Sequence, residues 1–240
     1  MRVAPVLSTL VLTAHGSADP RSAAVTHAVA GRIRRLRPWL DVRAAFLEQT
    51  EPALPDVLAQ TRDATVVPFL LAAAYHARVD IPAVIGEVGR PVRTADVLGE
   101  DPALLSVARL RLTEAGVSPY DDRLGVIAVA VGSSRPDANA KTSTVAAALA
   151  DGTRWAGSRV AFATGPHANL ADTADELRRA GAHRLVIVPW FLAHGRITDR
   201  VADFAAREGI SMAEPLGSHN LVAATVLDRF DEVTGARAAA

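Results

Sequence analysis

Short apolar runs alternate with longer amphipathic segments along the chain. The runs are rich in Val, Ile and Leu, and they predict strands buried on both faces. They are Val6–Ala14, Val42–Leu47, Thr65–Leu70, Pro91–Ala95, Leu124–Val131, Arg159–Ala163, Leu185–Trp190 and Ile210–Ala213. Helical periodicity predicts helices over Arg21–Leu36, Pro136–Leu149, Asn169–Ala180, Arg196–Arg207 and Leu221–Val233. This alternation is typical of an α/β protein with parallel sheets and helices on both faces.

The alternation also repeats within the chain. Gly16-Ser17-x-x-Pro20 and Gly132-Ser133-x-x-Pro136 each follow an apolar strand, and they lie 116 residues apart. Two later matches keep nearly the same offset: Val66–Leu71 with Ile187–Leu192, and Leu98-Gly99 with Leu216-Gly217. We therefore predict two βαβαβαβα halves related by a pseudo-two-fold repeat, over residues 1–117 and 118–240.

Composition and charge exclude several function classes. The 240 residues include no cysteine, which excludes disulfide scaffolds and thiolate metal sites. Basic and acidic residues number 26 each, which argues against a nucleic-acid partner. No uncharged apolar run reaches the ~20 residues of a membrane span, so no membrane partner is expected. The apolar stretch after Met1-Arg2 favours a buried first strand over a signal peptide, and we expect a cytoplasmic protein.

Three polar residues follow strands of the first half. His15 follows the first strand, Glu48 the second and His76 the third, so all three are expected at the carboxyl edge of one sheet. Two imidazoles and one carboxylate suit a divalent metal and leave positions open for water or substrate. Each residue also has a purely structural alternative, because such positions often hold loop or capping residues. Asp80 is predicted to cap the helix that begins at Ile81-Pro82.

The second half lacks this set of residues. Val131 stands where the first half has His15, and Arg196 or Ile197 falls near the position of His76. We therefore predict a working site in the first half, with the second half forming the other wall of a cleft. His194 aligns nearer to Ala73 than to His76. His167 follows a strand and is a further candidate to face the cleft.

Common catalytic and nucleotide-binding motifs are absent. The chain has no GxSxG, GxxxxGK[ST], GxGxxG or HExxH sequence. The absence of these motifs argues against a serine hydrolase, a nucleotide-binding fold and a zinc protease. A plain α/β ligand-binding module remains an alternative.

Three segments of the first half resemble the sirohydrochlorin chelatases. Leu12–Arg21 resembles their opening motif, Phe46–Pro55 their second, and Val67–Pro82 their third and most specific motif. Pro189–Leu192 and Arg196–Asp199 resemble the second-half remnant of the long, internally duplicated members.

This resemblance implies a class II chelatase fold with two flavodoxin-like halves around a cleft. It implies insertion of Fe²⁺ or Co²⁺ into sirohydrochlorin for siroheme biosynthesis, without ATP or a tightly bound cofactor. By motif position, His15 and His76 would be the metal-binding and catalytic histidines, and Glu48 the third metal-site residue. Two alternatives stay open: cobalt insertion for cobalamin biosynthesis, and a non-catalytic carrier of metal or tetrapyrrole.

The substrate of these chelatases is rich in carboxylates, so a protein of zero net charge is expected to place positive groups locally. The substrate-binding candidates are Gly16, Ser17, Arg21, Arg78, Ser133, Arg135, His194 and Arg196. The arginines could equally be solvated helix residues. Because duplication supplies both cleft walls, a monomer or a weak homodimer is expected.

Overall fold

The structure is a computed structural model that describes residues 8–165 and 169–235. Val6 and Leu7 of the first predicted strand lie outside the described residues, as does the candidate His167. The chain divides into two compact units: Met1–Gly99 with Ser218–Ala240, and Glu100–Gly217. Each unit contains one four-stranded parallel sheet. None of the described helices is long and apolar enough to span a membrane.

The first unit contains a sheet of order β2-β1-β3-β4. Its strands are β1 (Thr9–Ala14), β2 (Asp41–Phe46), β3 (Ala64–Pro68) and β4 (Arg93–Thr94). Its helices are α1 (Pro20–Leu36), α2 (Leu54–Ala59), α3 (Ile81–Glu87) and α8 (Asn220–Thr234), and a π-helical turn, His76–Asp80, leads into α3. The core on one face of the sheet joins Val11 and Val66 to Leu54, Leu58 and Ile81, all fully buried.

The second unit repeats this arrangement with the order β6-β5-β7-β8. Its strands are β5 (Leu124–Ala130), β6 (Gly157–Phe162), β7 (Arg184–Pro189) and β8 (Ser211–Met212). Its helices are α4 (Pro102–Glu114), α5 (Pro136–Ala150), α6 (Leu170–Arg179) and α7 (Arg196–Glu208). The predicted α/β fold class, with a repeated pair of parallel sheets, is confirmed.

The compact units differ from the sequential halves predicted at 1–117 and 118–240. Helix α8 packs on α1 and β3 of the first unit, whereas α4 packs on α5 and β7 of the second. Side chains reinforce the α8 contact: Arg37 pairs with Asp231 through two hydrogen bonds of 2.5 Å, and Arg229 donates to the carbonyls of Val97 and Leu98. The repeat marks similar segments, but packing determines which sheet each terminal helix covers.

Candidate active site

The sheet order of the first unit places two loops at the switch point between β1 and β3. In an open parallel sheet, ligands bind beyond the carboxyl ends of the strands, where connections depart to opposite faces. The order β2-β1-β3-β4 puts that point between β1 and β3. His15 directly follows β1, and His76 begins the π-helical turn in the segment after β3. Both candidate histidines therefore lie at the position where this fold offers a binding site.

The two imidazole rings are in contact. Their centroids lie 4.0 Å apart and their planes are nearly perpendicular, at 88°. The His15 side chain is 34% exposed and the His76 side chain 41% exposed, so solvent reaches both. The expected convergence of these residues, 61 positions apart in sequence, is present in the structure.

A close backbone approach holds Glu48 beside His15. The amide of Glu48 donates to the carbonyl of His15 at 3.0 Å. Gly16 adopts a φ of +94°, and a Cβ at this position would lie 1.7 Å from the carbonyl oxygen of Glu48. Gly16 is therefore required for packing the β1 and β2 loops together, and this packing carries the Glu48 carboxylate to 3.1 Å from Nε2 of His15.

The two ring nitrogens of His15 have different partners. Nδ1 lies 2.9 Å from the carbonyl oxygen of Gly16, which can only accept, so Nδ1 carries a hydrogen. Nε2 lies 3.1 Å from the Glu48 carboxylate. A metal ion bound at Nε2 would therefore have this carboxylate beside it.

His76 contacts Asp80, which the sequence predicts as a helix cap. Its Nδ1 lies 2.6 Å from Oδ2 of Asp80, one helical turn later. The prediction that Asp80 caps the helix beginning at Ile81 is wrong: Asp80 has helical backbone angles and makes no capping hydrogen bond. The helix instead continues backwards through the π-helical turn to His76. The i, i+4 spacing was the sequence signal for this contact, because such residues share one helix face.

The structure does not assemble a three-ligand metal site. Within residues 8–165 and 169–235, no three histidine, aspartate or glutamate side chains are arranged to hold a metal ion. The Glu48 carboxylate lies 3.1 Å from Nε2 of His15, and the Asp80 carboxylate lies 2.6 Å from Nδ1 of His76. The assignment of His15, His76 and Glu48 as metal ligands stays a prediction.

Neighbouring groups engage the substrate-binding candidates of the first unit. The Ser17 hydroxyl accepts the backbone N–H of Asp19 at 3.0 Å. Asp19 caps α1 and also holds the Arg21 guanidinium, with Nη2 2.6 Å from Oδ2. Arg78 lies exposed on the π-helical turn that carries His76. Arg21 would therefore have to leave Asp19 before it could bind a substrate carboxylate.

The candidates of the second unit follow the same local plan. The Ser133 hydroxyl accepts the backbone N–H of Arg135 at 3.1 Å, and the Arg135 guanidinium lies 3.2 Å from the carboxylate of Asp137. His194 pairs through Nε2 with Glu214 at 2.7 Å. Arg196 is the exposed first residue of α7. No second pair of touching histidine rings occurs among the described residues of this unit.

Comparison with known proteins identifies the family. The CbiX family profile matches residues 9–115 and again 125–233, which together make up most of the chain. The chain belongs to the CbiX family. The two matches fit the internal repeat, and the resemblance to sirohydrochlorin chelatases found in the sequence is confirmed at the level of the family.

Individual CbiX relatives agree with this assignment. The sirohydrochlorin cobaltochelatase of Priestia megaterium is 29% identical over 182 residues, which are 68% of this chain and 57% of that protein. The chain thus matches little more than half the length of this curated relative. SirB from Bacillus subtilis with Fe³⁺ shares the fold, with a TM-score of 0.82, 20% identity and coverage of 97% of this chain and 98% of that one. The sirohydrochlorin chelatase SirB from Bacillus subtilis subspecies spizizenii in complex with cobalt gives a TM-score of 0.72, 19% identity and the same coverage.

Proposed function

We propose that this CbiX protein inserts a divalent metal ion, Fe²⁺ or Co²⁺, into sirohydrochlorin without ATP. The contact between the His15 and His76 rings carries the proposal, because it brings two nitrogen ligands to the ligand-binding edge of the sheet. Imidazole binds both metals, so the ligand type is compatible with either ion. The metal is a substrate in this reaction and has to leave the protein for the macrocycle. An open, incomplete ligand set suits that transfer better than a closed four-ligand site.

Proton transfer is the second requirement of the reaction. Insertion of a divalent ion into the macrocycle releases two pyrrole protons. Glu48 and His15 lie in direct contact, and both side chains reach solvent. A carboxylate and an imidazole in this position can accept protons and pass them to water. We assign proton acceptance to Glu48 together with His15, and the holding of the incoming metal to His15 and His76.

Apolar groups beside the histidines suit a flat macrocycle. Tyr75 is 59% exposed, and its ring lies 6.2 Å from the His76 ring in an edge-on arrangement. Val79, on the same turn, is 43% exposed. A planar tetrapyrrole that stacked here would cover both side chains and place its centre near the metal-binding nitrogens.

The names of the relatives support the substrate, and they support two metals. The Priestia megaterium relative is a cobaltochelatase, and the SirB structures contain Fe³⁺ or cobalt. We propose siroheme biosynthesis as the pathway, with cobalt insertion for cobalamin biosynthesis as the second candidate. Comparing the initial insertion rates of Fe²⁺ and Co²⁺ distinguishes these two.

Anaerobic incubation with sirohydrochlorin and either metal tests the proposal. Metal insertion changes the absorbance spectrum of the macrocycle, and we expect enzyme-dependent conversion over the uncatalysed rate. His183→Ala is the matched control, because His183 is an exposed histidine that immediately precedes β7, at the opposite end of the strands. Binding of sirohydrochlorin or metal without turnover would reject the chelatase in favour of a carrier, and binding of neither would reject both.

A further inference from the structure

Asp80 makes a short contact with a histidine that the proposed reaction needs. Its Oδ2 atom lies 2.6 Å from Nδ1 of His76, and the two side chains are 36% and 41% exposed. The carboxylate can only accept when ionised, so Nδ1 of His76 donates to it. In a neutral ring the other nitrogen, Nε2, then keeps its lone pair. Nε2 is therefore the atom of His76 that can bind a metal ion.

We propose that Asp80 is a positioning residue, which holds His76 in the Nδ1–H tautomer and fixes the direction of its Nε2 lone pair. A carboxylate in this relation to a metal-binding histidine fixes the orientation of the ring. The role in metal binding rests on the proposed function, whereas the tautomer is a property of the protein alone.

The geometry favours positioning over a structural role. Asp80 makes no capping hydrogen bond to α3, so the helix start does not need its carboxylate. A half-exposed pair at i, i+4 contributes little to the stability of a protein, so a fold requirement does not explain the contact.

The contacts of His15 point the same way. Nδ1 of His15 donates to the Gly16 carbonyl, so Nε2 is the nitrogen left for a metal ion. In His76 the Asp80 carboxylate takes the place of that backbone carbonyl. In both touching rings, therefore, Nδ1 faces a hydrogen-bond acceptor and Nε2 is the other nitrogen, which in His15 lies beside the Glu48 carboxylate.

The test uses nitrogen NMR of the histidine rings in the full-length protein, without metal. His76→Ala identifies the His76 signals by their loss. Asp80→Ala removes the acceptor, and Asp80→Asn keeps an amide oxygen that can still accept from Nδ1. Glu87→Ala, at the exposed end of α3, is the matched control for loss of an acidic side chain from the same segment.

We expect His76 to be the Nδ1–H tautomer in the parent protein, in Asp80→Asn and in Glu87→Ala, and to lose this preference in Asp80→Ala. Titration with Co²⁺, followed by its visible absorbance, should show affinity about 10–100-fold weaker in Asp80→Ala and a smaller loss in Asp80→Asn. An Nε2–H tautomer in the parent protein, or an unchanged tautomer in Asp80→Ala, would overturn the proposal. Equal Co²⁺ affinities in the parent and Asp80→Ala would also overturn the proposal. If the parent shows these properties but inserts no metal into sirohydrochlorin, the proposed function fails and the positioning role stands.

Discussion

Replacing Gly16 with alanine tests whether the backbone contact between the first two loops builds the site. The new Cβ would lie 1.7 Å from the Glu48 carbonyl oxygen, whereas real Cβ atoms stay at least 3.0 Å from such neighbours. The loops must therefore separate by more than about 1 Å. This movement pulls Glu48 away from His15, which it now meets at 3.1 Å.

Two terms set the size of the stability loss. A φ of +94° costs an alanine about 1–2 kcal/mol. Forcing an extra methyl group into a packed region costs about 1–3 kcal/mol more. Gly16→Ala should therefore destabilise the protein by about 2–5 kcal/mol, which lowers the Tm by roughly 2–4 °C for each kcal/mol at this chain length. Thermal denaturation measures the shift, and the sirohydrochlorin assay measures the loss of turnover.

Two other glycines of the chain supply matched controls. Gly181 has a φ of +100° and nothing within 4 Å of a built Cβ, so Gly181→Ala isolates the cost of the backbone angle. Gly132 is the repeat equivalent of Gly16, and its Cβ would lie 2.8 Å from the Thr164 carbonyl oxygen. Gly132→Ala should show an intermediate stability loss. If Gly16→Ala matched Gly181→Ala in Tm and kept full activity, the loop contact would have no part in building the site.

Three further predictions concern single side chains. His76→Ala should abolish metal insertion, because it removes a proposed metal ligand. It should change the Tm little, because the residue is half exposed. The sirohydrochlorin assay measures the first effect and thermal denaturation the second. Arg37→Ala should destabilise the protein by about 1–3 kcal/mol, measured by denaturant unfolding, because it leaves the nearly buried Asp231 carboxylate without its bidentate partner. The hydrogen bond from Arg184, helped by the Arg123 backbone N–H, lowers the pKa of Asp121 below its ordinary 3.8. Asp121→Asn should therefore reduce stability above about pH 4, and its difference from the parent should vanish as the pH falls through the lowered pKa of Asp121.

Each of these predictions has a control and a contrary result. His194→Ala, in the second unit, should retain most of the activity, and an inactive His194→Ala beside an active His76→Ala would move the working site there. Arg178→Ala removes an exposed guanidinium that pairs with Glu208 and Asp175, and should cost less than about 1 kcal/mol. A loss from Arg37→Ala no larger than this would refute the role of the Asp231 pair. A difference between Asp121→Asn and the parent that grew on acidification would contradict the sign of the pKa shift.

Local pattern predicted that the two histidines meet. Apolar runs located β1 and β3, and the residues that follow them could be placed at one edge of a parallel sheet because all strands of such a sheet point the same way. The meeting of His15 and His76 followed from this rule. The partner of His76 did not, because Asp80 next to Ile81-Pro82 has the sequence of a helix cap. The choice between capping and a side-chain contact depends on whether the helix starts at Ile81 or at His76, and local sequence leaves that open.

The chain's own order of apolar and polar residues determined the strands, the helices, the repeat and the loops that bear the histidines, since these depend on periodicity within a few residues. Tertiary structure decided which sheet each terminal helix covers: α4 packs with the second unit and α8 with the first. It also decided which charges were engaged by partners remote in sequence, as Arg37 is by Asp231. Two similar sheets present similar apolar faces, so the choice between them rests on specific packing and on ion pairs between segments remote in sequence.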